Sequence, residues 1–128
     1  MNKSISVLIV EDEHLLLNAI SKKLAISGIE AIECGSGEHA IETLAKLERM
    51  PDVIWLDYHL KGMDGMEFMS ELKKKDAWTK IPVIVVSNSA SSDKVYGMLA
   101  LGAKKYLLKA EHRLDDIIES VRQLANEK

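Results

Sequence analysis

The amino-acid sequence predicts an α/β fold built on a five-stranded, doubly wound parallel sheet. Short apolar runs rich in Val and Ile alternate along the chain with segments in which apolar residues recur at helical spacing. Several of the runs are apolar at nearly every position, as is typical of parallel strands that helices cover on both faces. Glycine and proline residues fall between the segments, where turns are expected.

Five apolar runs predict the strands, and each run stops at a polar residue. Runs of this length suit strands and are too short for isolated helices. The predicted strands span residues 5–10, 29–32, 53–56, 83–86 and 106–108.

Five amphipathic segments predict the helices. In the clearest of them, apolar residues from Leu114 to Ala125 follow i, i+3, i+4, i+7 spacing, so one stripe is apolar and the rest is polar. The apolar residues of the other four are Leu16, Leu17, Ile20 and Leu24; Ala40, Ile41, Leu44 and Ala45; Met66, Met69 and Leu72; and Val95, Met98 and Leu99. Strands that alternate with helices in this way need right-handed crossovers, so we expect the flavodoxin-like strand order 2-1-3-4-5.

The length and composition indicate a single domain over residues 1–128. Hydrophobic residues make up 47% of the chain, which is enough to form a core. A net charge of −3, with no basic run longer than residues 73–75, argues against direct nucleic-acid binding. Cys34 is the single cysteine and cannot close an internal disulfide, and no signal-peptide pattern or long apolar stretch indicates export or a membrane partner. We therefore expect a cytoplasmic protein.

Ionisable and hydroxyl side chains follow the predicted strands, at the edge where a doubly wound sheet binds its ligands. Glu11 and Asp12 follow the first strand, and the later strands are followed by Asp57, Ser87 and Lys109. Three carboxylates in one crevice repel one another unless a cation neutralises them, and their oxygens favour Mg²⁺ or Mn²⁺. A hydroxyl and an ammonium opposite them would complement a phosphoryl group, toward which a carboxylate can act as nucleophile.

This set of residues resembles the receiver domain of two-component response regulators, and the resemblance covers essentially the whole chain. The features that carry it are the pair Glu11-Asp12, Asp57 with the downstream sequence Met63-Asp64-Gly65, Ser87, Tyr106 and Lys109. In extent the chain is similar to the single-domain chemotaxis regulators. The resemblance implies a phosphoacceptor that takes a phosphoryl group from a histidine kinase or phosphotransfer protein and signals to a downstream protein target. It implies no enzyme activity beyond the domain's own phosphorylation and dephosphorylation.

The resemblance also implies a role for each acidic residue. Asp57 would be the phosphoacceptor and would contribute to the Mg²⁺ site. Asp12 would coordinate the metal directly and Glu11 through water, while His59 would contribute its backbone carbonyl.

On the other side of the crevice, the resemblance implies that Ser87 and Lys109 each bind a phosphoryl oxygen. Tyr106 would change rotamer as Ser87 moves inward, so that phosphorylation reshapes the face formed by the fourth predicted helix, the fifth strand and the fifth helix. His59 and Ser89 occupy positions that tune phosphoryl lifetime in this family. Ala110 replaces the proline that usually follows the lysine, so we expect a trans bond between Lys109 and Ala110.

Simpler or different interpretations stay open. The segment 57–62 also matches the Asp-x-His-x-x-Gly pattern of cobalamin-binding domains, in which the histidine, here His59, binds cobalt. In that family, however, the motif follows the first strand and is joined by a later Gly-Gly, which this sequence lacks. A degenerate receiver could serve as a protein-binding module without phosphorylation. Helix capping could explain Glu11-Asp12, and Tyr106 could be an ordinary half-buried aromatic.

Overall fold

The structure, a computed structural model, describes residues 4–127. Its strands are β1 (Ser6–Val10), β2 (Glu30–Cys34), β3 (Val53–Asp57), β4 (Val83–Ser87) and β5 (Lys105–Leu108). They pair in parallel in the order β2-β1-β3-β4-β5, which confirms the predicted topology. Every predicted strand is present, with its ends shifted by at most two residues. The predicted domain limits, residues 1 and 128, lie outside the described part of the chain.

Six α-helices and one 3₁₀ turn connect the strands within the described residues. They are α1 (His14–Ile26), α2 (Gly37–Lys46), α3 (Gly65–Leu72), α4 (Asp76–Thr79), α5 (Ser92–Ala100), the 3₁₀ turn Lys109–Glu111, and α6 (Leu114–Asn126). Five of these helices match the predicted ones. None of the described helices is both long and apolar enough to cross a membrane.

Helix α4 corrects the predicted count of five helices. It has only four residues, so no helical period can be read from its sequence. The carbonyl of Lys75 accepts hydrogen bonds from the backbone N–H groups of Trp78 and Thr79, at 3.0 and 3.1 Å. The Trp78 side chain is buried in the core, and this burial holds the single turn in place.

Two core layers lie on opposite faces of the sheet, which is why the strands are apolar throughout. In β1, Leu8 and Val10 pack with α2, α3 and α5, whereas Val7 and Ile9 pack with α1 and α6. The pleat directs alternate residues to opposite faces, so both sets are buried.

Because all five strands are parallel, their carboxyl ends meet at one edge of the sheet. Asp57 and Ser87 are the last residues of β3 and β4, Glu11 directly follows β1, and Lys109 directly follows β5. Every described peptide bond is trans, including the bond from Lys109 to Ala110, as the sequence predicted. The chain leaving β5 therefore enters the 3₁₀ turn and carries Lys109 to this edge.

Candidate functional site

Three acidic side chains form a cluster at the carboxyl edge of the sheet. Glu11, Asp12 and Asp57 each place one carboxylate oxygen within 4.8 Å of the others. Neighbouring strands bring them together, since β1 and β3 pair directly and Val10 lies opposite Leu56. Glu11 is 2% exposed and Asp57 is 6% exposed, so two of the three carboxylates are withdrawn from water.

Backbone groups hold the two carboxylates that follow β1. The N–H of Glu13 donates to Glu11 Oε2 at 3.0 Å, and the N–H of Lys61 donates to Asp12 Oδ2 at 2.9 Å. Helix α1 has Glu13 at its N-cap position, and no side chain caps its first turn. The helix-capping interpretation of Asp12 is therefore wrong: Asp12 instead ties the end of β1 to the loop between β3 and α3.

Lys109 is the cation that faces this cluster. Its Nζ lies 3.1 Å from Glu11 Oε1 and 3.5 Å from Asp57 Oδ2, and its side chain is 19% exposed. The sequence predicted the approach to Asp57 but not the shorter contact with Glu11. One ammonium thus contacts two of the three clustered carboxylates.

Burial and charge shift the protonation equilibria of these groups. Burial raises the pKa of Asp57 above its ordinary value, although the Lys109 ammonium partly opposes the shift. Burial likewise raises the pKa of Glu11, and the charge of Asp57 raises it further. For Lys109, burial acts to lower the pKa, but the charges of Asp57 and Glu11 outweigh it and the pKa is raised. The two acids favour protonation or a bound cation, and the lysine stays charged.

The donor set fits a hard divalent cation such as Mg²⁺ or Mn²⁺. All three clustered groups offer carboxylate oxygens, the ligands that these ions prefer. The backbone N–H of His59 donates to Asp57 Oδ1 at 3.3 Å, which places the His59 peptide beside the cluster. A cation here would relieve the repulsion between the buried carboxylates.

The hydroxyl and the aromatic residue that the sequence singled out meet through a third residue. Ser87 is fully buried, and its Oγ accepts a hydrogen bond from the N–H of Ser89 at 3.3 Å. Tyr106 is half-buried, and its hydroxyl donates to the carbonyl of Ser89 at 2.6 Å. Ser89 therefore links β4 to β5, a connection that the loop-like composition around it did not predict.

An open cavity of about 540 Å³ lies beside the loop that follows β3 and reaches the acidic cluster at Asp12. Its lining residues are Asp12, Tyr58, His59, Leu60, Lys61 and Asp64. Lys94, which the sequence did not single out, lies on α5 and contacts two of these lining residues, Tyr58 and His59. No motif marks Lys94, since the fold alone brings α5 to this loop.

A doubly wound sheet with buried acids, a lysine and a hydroxyl at its carboxyl edge defines the class of receiver domains. The family model of the response regulator receiver domain matches residues 7–122, so the chain belongs to that family.

Curated relatives and solved structures agree with this assignment. The chain is 31% identical over 104 residues to the phosphate regulon transcriptional regulatory protein PhoB of Pseudomonas aeruginosa, covering 81% of this chain and 44% of PhoB. It is 40% identical over 112 residues to a protein-glutamate methylesterase/protein-glutamine glutaminase of Treponema denticola, covering 84% of this chain and 29% of that protein. The chain thus spans less than half the length of these two relatives.

Among solved structures, the receiver domain of Francisella response regulator 1452 superimposes with a TM-score of 0.85. It is 25% identical, and the match covers 95% of this chain and 97% of that one. The chemotaxis protein CheY4 of Vibrio cholerae has a TM-score of 0.87 at 22% identity, with 95% of this chain and 99% of that chain covered. This second likeness confirms the fold.

Proposed function

We propose that this receiver domain accepts a phosphoryl group on Asp57 in a Mg²⁺-dependent reaction. The observation that supports this most directly is the convergence on Asp57 of Glu11 and Asp12 from one segment of the chain and of Lys109 from another. The donor would be the phosphohistidine of a histidine kinase or phosphotransfer protein, the usual partner of receiver domains. The chain would catalyse no reaction beyond its own phosphorylation and dephosphorylation.

In the proposed reaction, an Asp57 carboxylate oxygen attacks phosphorus, the new O–P bond forms, and the bond from phosphorus to the donor breaks. Lys109, already within 3.5 Å of Asp57, would pair with one phosphoryl oxygen and stabilise its charge. Glu11, Asp12, Asp57 and the backbone carbonyl of His59 would hold the metal. When bound, Mg²⁺ supplies charge neutralisation of the carboxylates and of the developing phosphoryl charge.

Ser87 and Tyr106 would carry the response to phosphorylation. Ser87 Oγ would leave the N–H of Ser89 to bind a phosphoryl oxygen, and Tyr106 would change its contact with Ser89 in turn. The affected surface is formed by α5, β5 and α6, which correspond to the fourth predicted helix, the fifth strand and the fifth predicted helix. We propose that a downstream protein target binds there.

The two other interpretations have less support. The cobalamin-binding alternative is not favoured, because the chain belongs to the receiver family and His59 Nε2 already lies 3.0 Å from Ser89 Oγ. A degenerate receiver would have no need of buried, mutually repelling carboxylates, whose repulsion a bound cation relieves.

Intact mass spectrometry after incubation with acetyl phosphate and Mg²⁺ tests the proposal. We expect one phosphoryl addition to the wild-type chain, and none to Asp57→Asn or to wild type in EDTA. Asp64→Asn changes a carboxylate that lines the cavity but lies outside the cluster, and should still be labelled. Full labelling of Asp57→Asn would show that another residue is the acceptor.

A further inference from the structure

Lys94 joins the two loops that flank the proposed phosphoacceptor. Its Nζ donates to Ser89 Oγ at 2.9 Å and lies 3.3 Å from His59 Nε2. The same ammonium stands 5.3 Å from the centre of the Tyr58 ring. Helix α5 thus extends one cation over the loops that follow β3 and β4.

We propose that Lys94 is a positioning residue that attracts and orients the anionic phosphodonor at the mouth of the site. This inference rests on the proposed function of Asp57 as phosphoacceptor. It gives Lys94 a different task from Lys109, because Lys109 contacts the buried carboxylates and would pair with a phosphoryl oxygen, whereas Lys94 faces the approach to them.

The partners of Lys94 support this assignment. None of the three carries a negative charge: they are a hydroxyl, an imidazole nitrogen and a phenol ring. Within residues 4–127, no carboxylate lies within 4 Å of its ammonium, in contrast with Lys109, which has two such partners. A half-buried cation whose partners carry no negative charge keeps its own charge available to an incoming anion.

The position of Lys94 places this positive charge beside the cavity. Tyr58 and His59, which it contacts, both line the open cavity that leads to Asp12. The carboxylates of the site would repel a phosphate-bearing donor along this route. A cation held against two residues of the cavity wall offsets the repulsion and raises the local concentration of the anion.

Phosphorylation of Asp57 by a small phosphodonor needs no further reactant. With acetyl phosphate, an Asp57 oxygen forms a bond to phosphorus, the bond from phosphorus to the acetyl oxygen breaks, and acetate leaves with the electron pair. With phosphoramidate, whose nitrogen is protonated at neutral pH, the phosphorus–nitrogen bond breaks and ammonia leaves with the electron pair. Acetyl phosphate carries the greater negative charge, so its rate should depend more on Lys94.

The test compares second-order phosphorylation rates in saturating Mg²⁺ for wild type, Lys94→Met, Lys94→Arg and Lys104→Met. Lys104 is an exposed lysine at the opposite edge of the sheet, so its replacement removes the same charge far from the site. With acetyl phosphate at low salt, Lys94→Met should lower the rate about threefold or more. Lys94→Arg should retain most of the rate, and Lys104→Met should match wild type.

Two further readouts separate donor attraction from a purely structural role. The loss in Lys94→Met should shrink as salt is raised, because salt screens the attraction. It should also be smaller with phosphoramidate than with acetyl phosphate. Chemical denaturation of each variant checks that folding is unchanged.

Three outcomes would overturn the inference. The first is a phosphorylation rate of Lys94→Met equal to that of wild type. The second is a loss of rate that has the same size with both donors and at all salt concentrations. The third is a rate faster than that of wild type, which would mean that the contacts of Lys94 with the two loops restrain the site. Labelling of Asp57→Asn would instead refute the proposed function, and the two failures are therefore distinguishable.

Discussion

The hydroxyl of Tyr106 donates a 2.6 Å hydrogen bond to the backbone carbonyl of Ser89. The N–H of the same Ser89 donates to Ser87 Oγ, so one residue of the loop after β4 contacts both members of the proposed switch. A movement of Ser87 toward a phosphoryl group would break the hydrogen bond between Ser87 and Ser89. The hydrogen bond between Tyr106 and Ser89 would then change in response. Ser89 thus forms one connection between the proposed phosphoacceptor site and β5, beside the contact of Lys109 with Asp57.

We expect Ser87→Ala to accept a phosphoryl group at Asp57 without passing the change to Tyr106. The alanine cannot bind a phosphoryl oxygen, so phosphorylation gains no contact that favours a rearranged loop. Amide chemical shifts around Tyr106 should move on phosphorylation of wild type and stay nearly constant in the variant. Equal shifts in both proteins would contradict the coupling.

Trp55 should report metal binding through its fluorescence. It is buried on β3, two residues before Asp57, and therefore points to the same face of the strand. We expect a saturable change in emission on adding Mg²⁺ that is lost in Asp12→Asn. Trp78→Phe is the matched control and should keep the response, since Trp78 packs in the other core layer. An unchanged titration in Asp12→Asn would remove Asp12 from the set of ligands.

Asp57→Asn should stabilise the metal-free protein at neutral pH. Burial raises the pKa of Asp57 in the folded state, so the folded protein holds this proton when the unfolded chain has released it. The wild-type protein therefore loses stability as pH rises from the pKa of Asp57 in the unfolded chain to its higher pKa in the folded protein. Asparagine does not titrate, so Asp57→Asn does not lose stability in this way.

The measurement is urea unfolding of both proteins in EDTA across this pH range. The advantage of Asp57→Asn should be small at the acidic end, grow with pH, and level off above the folded pKa. An advantage that declines as pH rises would show that the buried carboxylate is stabilised by Lys109 more than it is penalised by burial. Saturating Mg²⁺ should remove most of the difference.

Gly65→Ala should destabilise the fold and disturb the loop that carries His59. A Cβ at Gly65 would lie 3.1 Å from both the Cα and the carbonyl oxygen of Tyr58, and backbone atoms cannot turn aside as a flexible side chain can. We expect a loss of about 1–3 kcal/mol in urea unfolding, together with slower phosphorylation. Gly35→Ala is the control, because a Cβ there meets nothing within 4 Å. Equal stability of the two variants would show that the loop relaxes freely.

Local sequence pattern was sufficient for the fold class, the strand order and the identity of the acidic cluster. Strands such as β1 and β3 are apolar on both faces, and that composition has few solutions other than a parallel sheet between two helical layers. Once the strands are parallel, residues that follow them share one edge. Glu11, Asp57 and Lys109 could therefore be placed together from the sequence alone.

The partners of individual side chains were settled by the folded chain. Asp12 accepts a hydrogen bond from the N–H of Lys61, a residue 49 positions away, and Lys94 meets His59 across 35 positions. Such contacts join loops that are distant in sequence, and they depend on loop paths that hydrophobic periodicity does not describe. Helix α4 was not predicted for a related reason, because a single helical turn is too short to show a hydrophobic period. Its position depends on the burial of Trp78 in a core to which the rest of the chain contributes.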